Sequence, residues 1–136
     1  MVKKICKDIF FLSQKAEPAT KADIQVGQDL LDTLKANKYS CVGMAENMIG
    51  VNKAIIAVST GLFDILMYNP KIIKKAKPYI SEEGCLSLEG LRKATRYQEI
   101  EVEYQDVNFN SERNKFTGYI AQIIEHEIDH LSGIII

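Results

Sequence analysis

Apolar positions first fall into a helical rhythm across residues 20–38. Val26, Leu30 and Leu34 recur every four residues, and Leu31 widens the stripe. Such a recurrence returns side chains to one face of a helix, so an amphipathic helix is expected there. Thr20 offers its hydroxyl as an N-cap, and Asn37 followed by Lys38, Tyr39 and Ser40 closes the segment. The rhythm then changes. Residues 54–59 (AIIAVS) form a short apolar run, the pattern of a buried strand, and residues 63–68 predict another, ended by Asn69-Pro70. Across residues 99–104 the alternation is strict, with Ile100, Val102 and Tyr104 on one side and Glu99, Glu101 and Glu103 on the other. A period of two marks a half-solvated strand of an antiparallel sheet. Residues 108–114 (NFNSERN) read as polar turn material. Helical spacing returns over residues 116–131, with Ser132-Gly133 as its stop.

Strands fill the middle of the chain and a helix lies toward each end, so the expected class is α+β. With 136 residues and no repeat, low-complexity tract or linker-like stretch, a single domain over 1–136 is expected. A hydrophobic fraction of 46% and a charged fraction of 26% are those of a soluble globular protein. Lys plus Arg number 17 against 18 Asp plus Glu, too balanced a field for nucleic acid to be the main partner. The local basic run of Lys71, Lys74, Lys75 and Lys77 reads as a solvated face. Lys7 and Asp8 interrupt the first apolar stretch, so no signal peptide is expected, and nothing approaches the roughly 18 apolar residues of a membrane span. No membrane partner and a cytoplasmic location are therefore expected. Cys6, Cys41 and Cys85 are an odd set, read as free thiols in a reducing compartment, with Cys6 and Cys41 as small core residues.

The candidate chemistry lies in the last helix. His126-Glu127-Ile128-Asp129-His130 is an H-E-x-x-H sequence, and it uses both histidines of the chain. Four residues turn a helix by about 400°, so the two imidazoles sit about 40° apart and can grip one metal ion. Glu127 lies about 100° around, able to reach a water on that ion as acid–base without being a ligand. Phe116, Tyr119 and Ile123 share the arc of the histidines, Ile120, Ile124 and Leu131 flank it, and Gln122, Glu125 and Asp129 make the polar side. A lone histidine on such a face is usually a hydrogen-bonded core residue. A carboxylate beside two of them is harder to accommodate, because buried charge must be paired. A third ligand is sought upstream, and Cys85 in Glu83-Gly84-Cys85-Leu86-Ser87 is the best candidate. A thiolate binds borderline metals strongly, and Gly84 lets backbone come close. Three protein ligands leave a position for water, as catalytic sites do.

At these residues the chain resembles the peptide deformylases, which remove the formyl group from the initiator methionine of new polypeptides. That family's motifs are G-x-G-x-A-A-x-Q, E-G-C-x-S and H-E-x-D-H. The second stands intact at Glu83-Gly84-Cys85-Leu86-Ser87 and the third at His126-Glu127-Ile128-Asp129-His130. Asn69-Pro70-Lys71-Ile72 and His130-Leu131-Ser132-Gly133 also resemble the family's connecting segments. The first motif departs. It aligns with Cys41-Val42-Gly43-Met44-Ala45-Glu46-Asn47-Met48, where only Gly43 and Ala45 fit.

The resemblance implies an α+β fold in which antiparallel strands surround a central helix carrying the H-E-x-x-H motif. It implies an Fe2+ ion, with Zn2+, Ni2+ or Co2+ as substitutes, held by Cys85, His126 and His130. Glu127 would carry the proton, and the Leu86 backbone N–H would meet the oxyanion. The implied substrates are formyl-methionyl nascent peptides, laid as an added strand along Val42 and Gly43, with Gly84 at the site and Arg92 against the substrate backbone. Tyr119 and Ile123, on the metal-facing arc, are candidates for the methionine pocket. Formate release is the expected activity, slowed because Met48 stands where the family has a glutamine amide. The alternative is a catalytically weakened deformylase-like metal-binding protein that binds formylated or acidic peptides. The chain ends about where the family's C-terminal helix begins, so ribosome docking through that helix is not expected.

Overall fold

Thr20 starts the first long element as its hydroxyl suggested. The side chain accepts from the Ala22 N–H while Asp23 accepts from the Thr20 N–H, and the single turn Lys21–Asp23 leads into helix α2, Ile24–Ala36. In this computed structural model, which describes residues 1–85 and 88–134 (without the side chains of 85, 88 and 89), a short helix α1, Ile9–Leu12, comes before it. Five strands follow: β1 (Gly43–Ala45), β2 (Ile55–Ser59), β3 (Asp64–Cys85), β4 (Leu88–Gln105) and β5 (Ser111–Thr117). The turn Glu46–Ile49 separates β1 from β2, and helix α3, Gly118–Leu131, comes after β5. The strands pair antiparallel in the order β1-β2-β3-β4-β5. An antiparallel sheet with helices is the α+β class.

The helical stripe of α2 buries Gly27, Leu30, Thr33 and Leu34 rather than Val26, which is only half-buried. Gly27 is required there. Tyr68, fully buried on β3, lies where a Cβ would stand, and its hydroxyl donates to the Ile24 carbonyl at 2.9 Å. Ile55, Ile56, Ala57 and Val58 are all buried, as an unbroken apolar run requires. On β4, Ile100, Val102 and Tyr104 face the core while Glu99 and Glu103 are outside or at its margin, as alternation predicts.

Three expectations are corrected. The strand opening at Asp64 does not end at Asn69-Pro70; it runs on to Cys85. Pairing with β4 shifts register between Tyr68 and Lys71, so a bulge absorbs the proline, which has no N–H for the ladder. Asn69 adopts φ 54°, and its amide bonds both the N–H and the carbonyl of Ala19, at 2.7 and 3.0 Å. The NFNSERN segment is a turn only to Asn110, where Asp106 Oδ1 accepts from the Asn108 and Asn110 N–H groups. Ser111 onward is strand β5, almost wholly exposed, so no apolar alternation marked it. Phe116 belongs to that strand, and α3 begins at Gly118. Among the described residues no helix is long and apolar enough to cross a membrane.

Candidate metal centre

Helix α3 sets His126 and His130 one turn apart on its buried side. Their rings are 4.7 Å apart at 36°, and both are buried. One ligand atom from each, with one from Glu127, lie within 4.8 Å of one another. Cys85 ends β3, and its side chain lies outside the described residues, as does all of Leu86. The expected thiolate ligand and the expected Leu86 N–H donor are therefore not described by the geometry.

The imidazole of His126 is oriented from behind. Its Nδ1 meets Glu83 Oε1 at 2.7 Å. A carboxylate accepts, so Nδ1 carries the proton and Nε2 presents the lone pair, the tautomer a metal-binding histidine needs. Glu83 is in turn held by Arg96, whose Nε lies 3.0 and 2.9 Å from its two oxygens and whose Nη2 lies 2.6 Å from Oε1. Gln122 donates to Glu83 Oε2 at 2.9 Å and to Ser81 Oγ at 2.8 Å, and accepts from Tyr79. Arg96 reaches back to Asp129 through Nη1. Burial alone would raise the Glu83 carboxyl, but the bonds from His126 and Arg96 outweigh it and hold the group at about 2.

Glu127 has the opposite surroundings. It is buried, its Oε1 has no hydrogen-bond partner among the described residues, and burial pushes the carboxyl up to about 7. Two carboxylates on adjacent elements are thus driven apart, one fixed as an anion and one poised near neutrality, which is how an acid–base is made. Two buried imidazoles one turn apart, one with its tautomer fixed, fit a divalent cation, and the unpartnered Glu127 oxygen lies beside them. Glu125, expected on the polar side of the helix, is instead buried against β4. It accepts from the Tyr97 N–H at 2.8 Å, and burial pushes it up to about 7.

A cavity of about 310 Å³ opens beside His126 and Glu127. Val42, Gly43, Gly84, Tyr119 and Ile123 all line it, with Ile123 buried and Tyr119 64% exposed at the mouth. Arg92 is not among its lining; it is half-buried on β4, opposite Glu83. Cys41, expected as core filler, lines the cavity with its Sγ 2.7 Å from the Gly43 carbonyl. Met48 also lines it and is buried, its sulfur accepting from the Ala45 N–H at 3.4 Å. Gly43 must lack a side chain, because a Cβ there would stand 2.5 Å from Ile123 Cγ2 and 3.0 Å from Glu127 Oε2.

Sequence reasoning missed Arg96 and the role of Glu83. The signal existed, because Arg96 shares the parity of Ile100, Val102 and Tyr104. Carrying the alternation back along β4 turns it inward, where a charge demands a partner.

Comparison with known proteins agrees with this geometry. The sequence model of the polypeptide deformylase family matches residues 2–136. A peptide deformylase of Clostridium beijerinckii is 57% identical over 136 residues, which is 100% of both chains. Peptide deformylase 2 of Clostridium acetobutylicum is 35% identical, over 91% of this chain and 85% of that one. The structure superimposes on the class I type b peptide deformylase of Acinetobacter baumannii, bound to the compound K1U, with a TM-score of 0.89 and 26% identity, covering 99% and 97% of the two chains. The peptide deformylase of Thermotoga maritima gives the same TM-score and identity, over 99% and 95%. With two motifs intact and full-length matches in both sequence and structure, the chain belongs to the polypeptide deformylase family.

Proposed function

We propose that this deformylase works as a single catalytic domain over residues 1–136, removing the formyl group from formyl-methionyl nascent peptides at one Fe2+ ion held by Cys85, His126 and His130. Zn2+, Ni2+ or Co2+ would fill the same site. The observation that carries the reading is the contrast between the two glutamates at the cavity, Glu83 locked as the His126 partner and Glu127 buried with an oxygen unpartnered among the described residues. α3 touches all five strands, which supports its role as the central helix of the sheet.

The bound ion would supply Lewis acidity and draw the pKa of a water toward neutrality. Glu127 takes a proton from the attacking water as its oxygen bonds to the formyl carbon, then gives it to the nitrogen as the C–N bond breaks. Formate and a free amine leave. The Leu86 N–H is the proposed donor to the oxyanion. Among the described residues β1 lies at the edge of the sheet, paired only with β2, and its other side faces the cavity. A peptide added there as a strand would meet Val42 and Gly43, with methionine toward Ile123 and Tyr119 and with Gly84 opposite. Arg92 is proposed to meet the substrate backbone beyond the cavity.

Met48 favours a second reading, a weakened deformylase-like metal-binding protein that holds formylated or acidic peptides. Its thioether cannot donate a hydrogen bond, and it sits where the family's amide donor stands. The test is formate release from formyl-Met-Ala by anaerobically purified protein, with metal analysis of the same sample. Cys85→Ala, His126→Ala and His130→Ala should each lose metal. Glu127→Gln should keep it and lose about 10²–10⁴ in turnover. Full metal retention by Cys85→Ala would overturn the ligand set, and peptide binding without formate would select the second reading.

A further inference from the structure

The divergent first motif contains a residue whose work lies on the far side of the turn from the substrate. Asn47 and Met48 are neighbours in the turn Glu46–Ile49, yet only Met48 lines the cavity. Asn47 is 1% exposed, and its side chain points toward the helix that carries the histidines. Its Nδ2 donates to the main-chain carbonyl of His130 at 2.9 Å and reaches the Leu12 carbonyl at 3.5 Å. One amide thereby joins α1, the substrate-side turn and the last turn of α3, between positions 83 residues apart.

The His130 carbonyl belongs to the last turn of a helix, where carbonyls have no amide one turn further on. It receives the Gly133 N–H at 3.1 Å from the chain leaving the helix, and Asn47 from the body of the protein. Of these two contacts the second ties the turn to the chain beside the cavity, while the Ala16 N–H ties it to the N-terminal segment through the Leu131 carbonyl at 2.7 Å.

We propose that Asn47 is a positioning residue, holding the backbone of His130 so that its imidazole meets the ion at the height His126 and Cys85 require. This rests on the ligand set proposed above. Asn47 touches neither substrate nor ion, and it acts through the rotation and height of the final turn of α3. Residues that orient metal ligands from behind typically contribute about 10–100-fold to metal affinity.

The test is titration of metal-free protein with Co2+, following both the dissociation constant and the ligand-field spectrum. Asn47→Leu, nearly isosteric without the donor, and Asn47→Ala should each weaken Co2+ binding about 10–100-fold and shift the visible bands. Leu34→Ala, a buried deletion on α2 outside the cavity lining, should lower Tm while leaving affinity within threefold and the spectrum unchanged. His130→Ala tests the premise separately, and its binding Co2+ like wild type would remove the ligand set and the proposal with it. If His130→Ala loses Co2+ while both Asn47 variants keep wild-type affinity and spectrum, the site stands and the role of Asn47 is overturned. Equal loss in Leu34→Ala would likewise overturn it, because the effect would then be general instability.

Discussion

Glu46 should make this protein less stable as pH rises through neutrality, and one isosteric change should remove the effect. It occupies the second alanine position of the family's first motif, is 0% exposed, and has neither oxygen hydrogen-bonded among the described residues. Burial, reinforced by Asp29 and Asp23, pushes its carboxyl from 4.5 up to about 9. Between those values the folded protein keeps a proton that the unfolded chain has lost. Stability therefore falls with rising pH across that window, and the penalty vanishes below about 4.5. At about 1.36 kcal/mol per pH unit, the penalty at pH 7 is about 3 kcal/mol. That is large beside the roughly 5–15 kcal/mol of a whole domain. Glu46→Gln buries a similar shape and a similar unsatisfied polar group but cannot ionise. Urea unfolding followed by circular dichroism at several pH values, on both proteins with equal metal content, isolates the term, because all other titrations cancel in the difference. The variant should exceed wild type by about 3 kcal/mol at pH 7 and converge with it near pH 4.5. A difference that stays flat from pH 5 to 8 would refute a neutral, buried Glu46.

Met48→Gln should restore the amide donor and raise kcat by about 10²–10³ with little change in KM; a wild type already at full strength, unmoved by the change, would dispose of that reading. Arg96→Met should cost about 3–5 kcal/mol by leaving Glu83 and Asp129 without their buried partner, and Arg96→Lys should recover little of it, since an ammonium cannot serve both carboxylates; chemical denaturation decides. Gly43→Ala should cost about 1–3 kcal/mol by overpacking and about 10² in turnover by displacing Glu127, so activity within twofold of wild type would show that α3 yields more easily than its packing suggests. Activity with Fe2+ should decay in air while the Zn2+ form stays intact, and equal air-stable rates with both would argue against iron.

Much of this was legible because the residues concerned obey short periods. Leu30 and Leu34, Ile100 and Val102, and His126 and His130 are each placed by local spacing alone, whatever packs against them. Strand β5 was invisible because Ser111 to Lys115 are solvated on both faces; what makes them a strand is their pairing with β4, a contact between segments. Asn69-Pro70 misled for a similar reason. A proline ends a strand unless a bulge removes it from the ladder, and that bulge depends on Asn69 binding Ala19, 50 residues away. Gly43 and Gly27 could be read as glycines but not as contacts with Glu127 and Tyr68. In the candidate site, motif spacing singles out the histidines and Glu127, whereas Arg96 and Asn47 join it through hydrogen-bond partners that only the fold brings near.

The sheet's strands lie side by side in the order in which they are synthesised. Each can pair with the one just made, and such short loop closures favour early, rapid formation. The proposed ion-binding residues follow the opposite schedule, since Cys85 ends β3 whereas His126 and His130 come only after β4 and β5 have been added. Vectorial synthesis therefore raises the scaffold before both halves of the proposed metal site exist, so that ion capture there would be a late event in the life of each molecule. With those ligands, an enzyme that unmasks the first residue of other proteins would acquire its own activity only when nearly all of its described chain has been made.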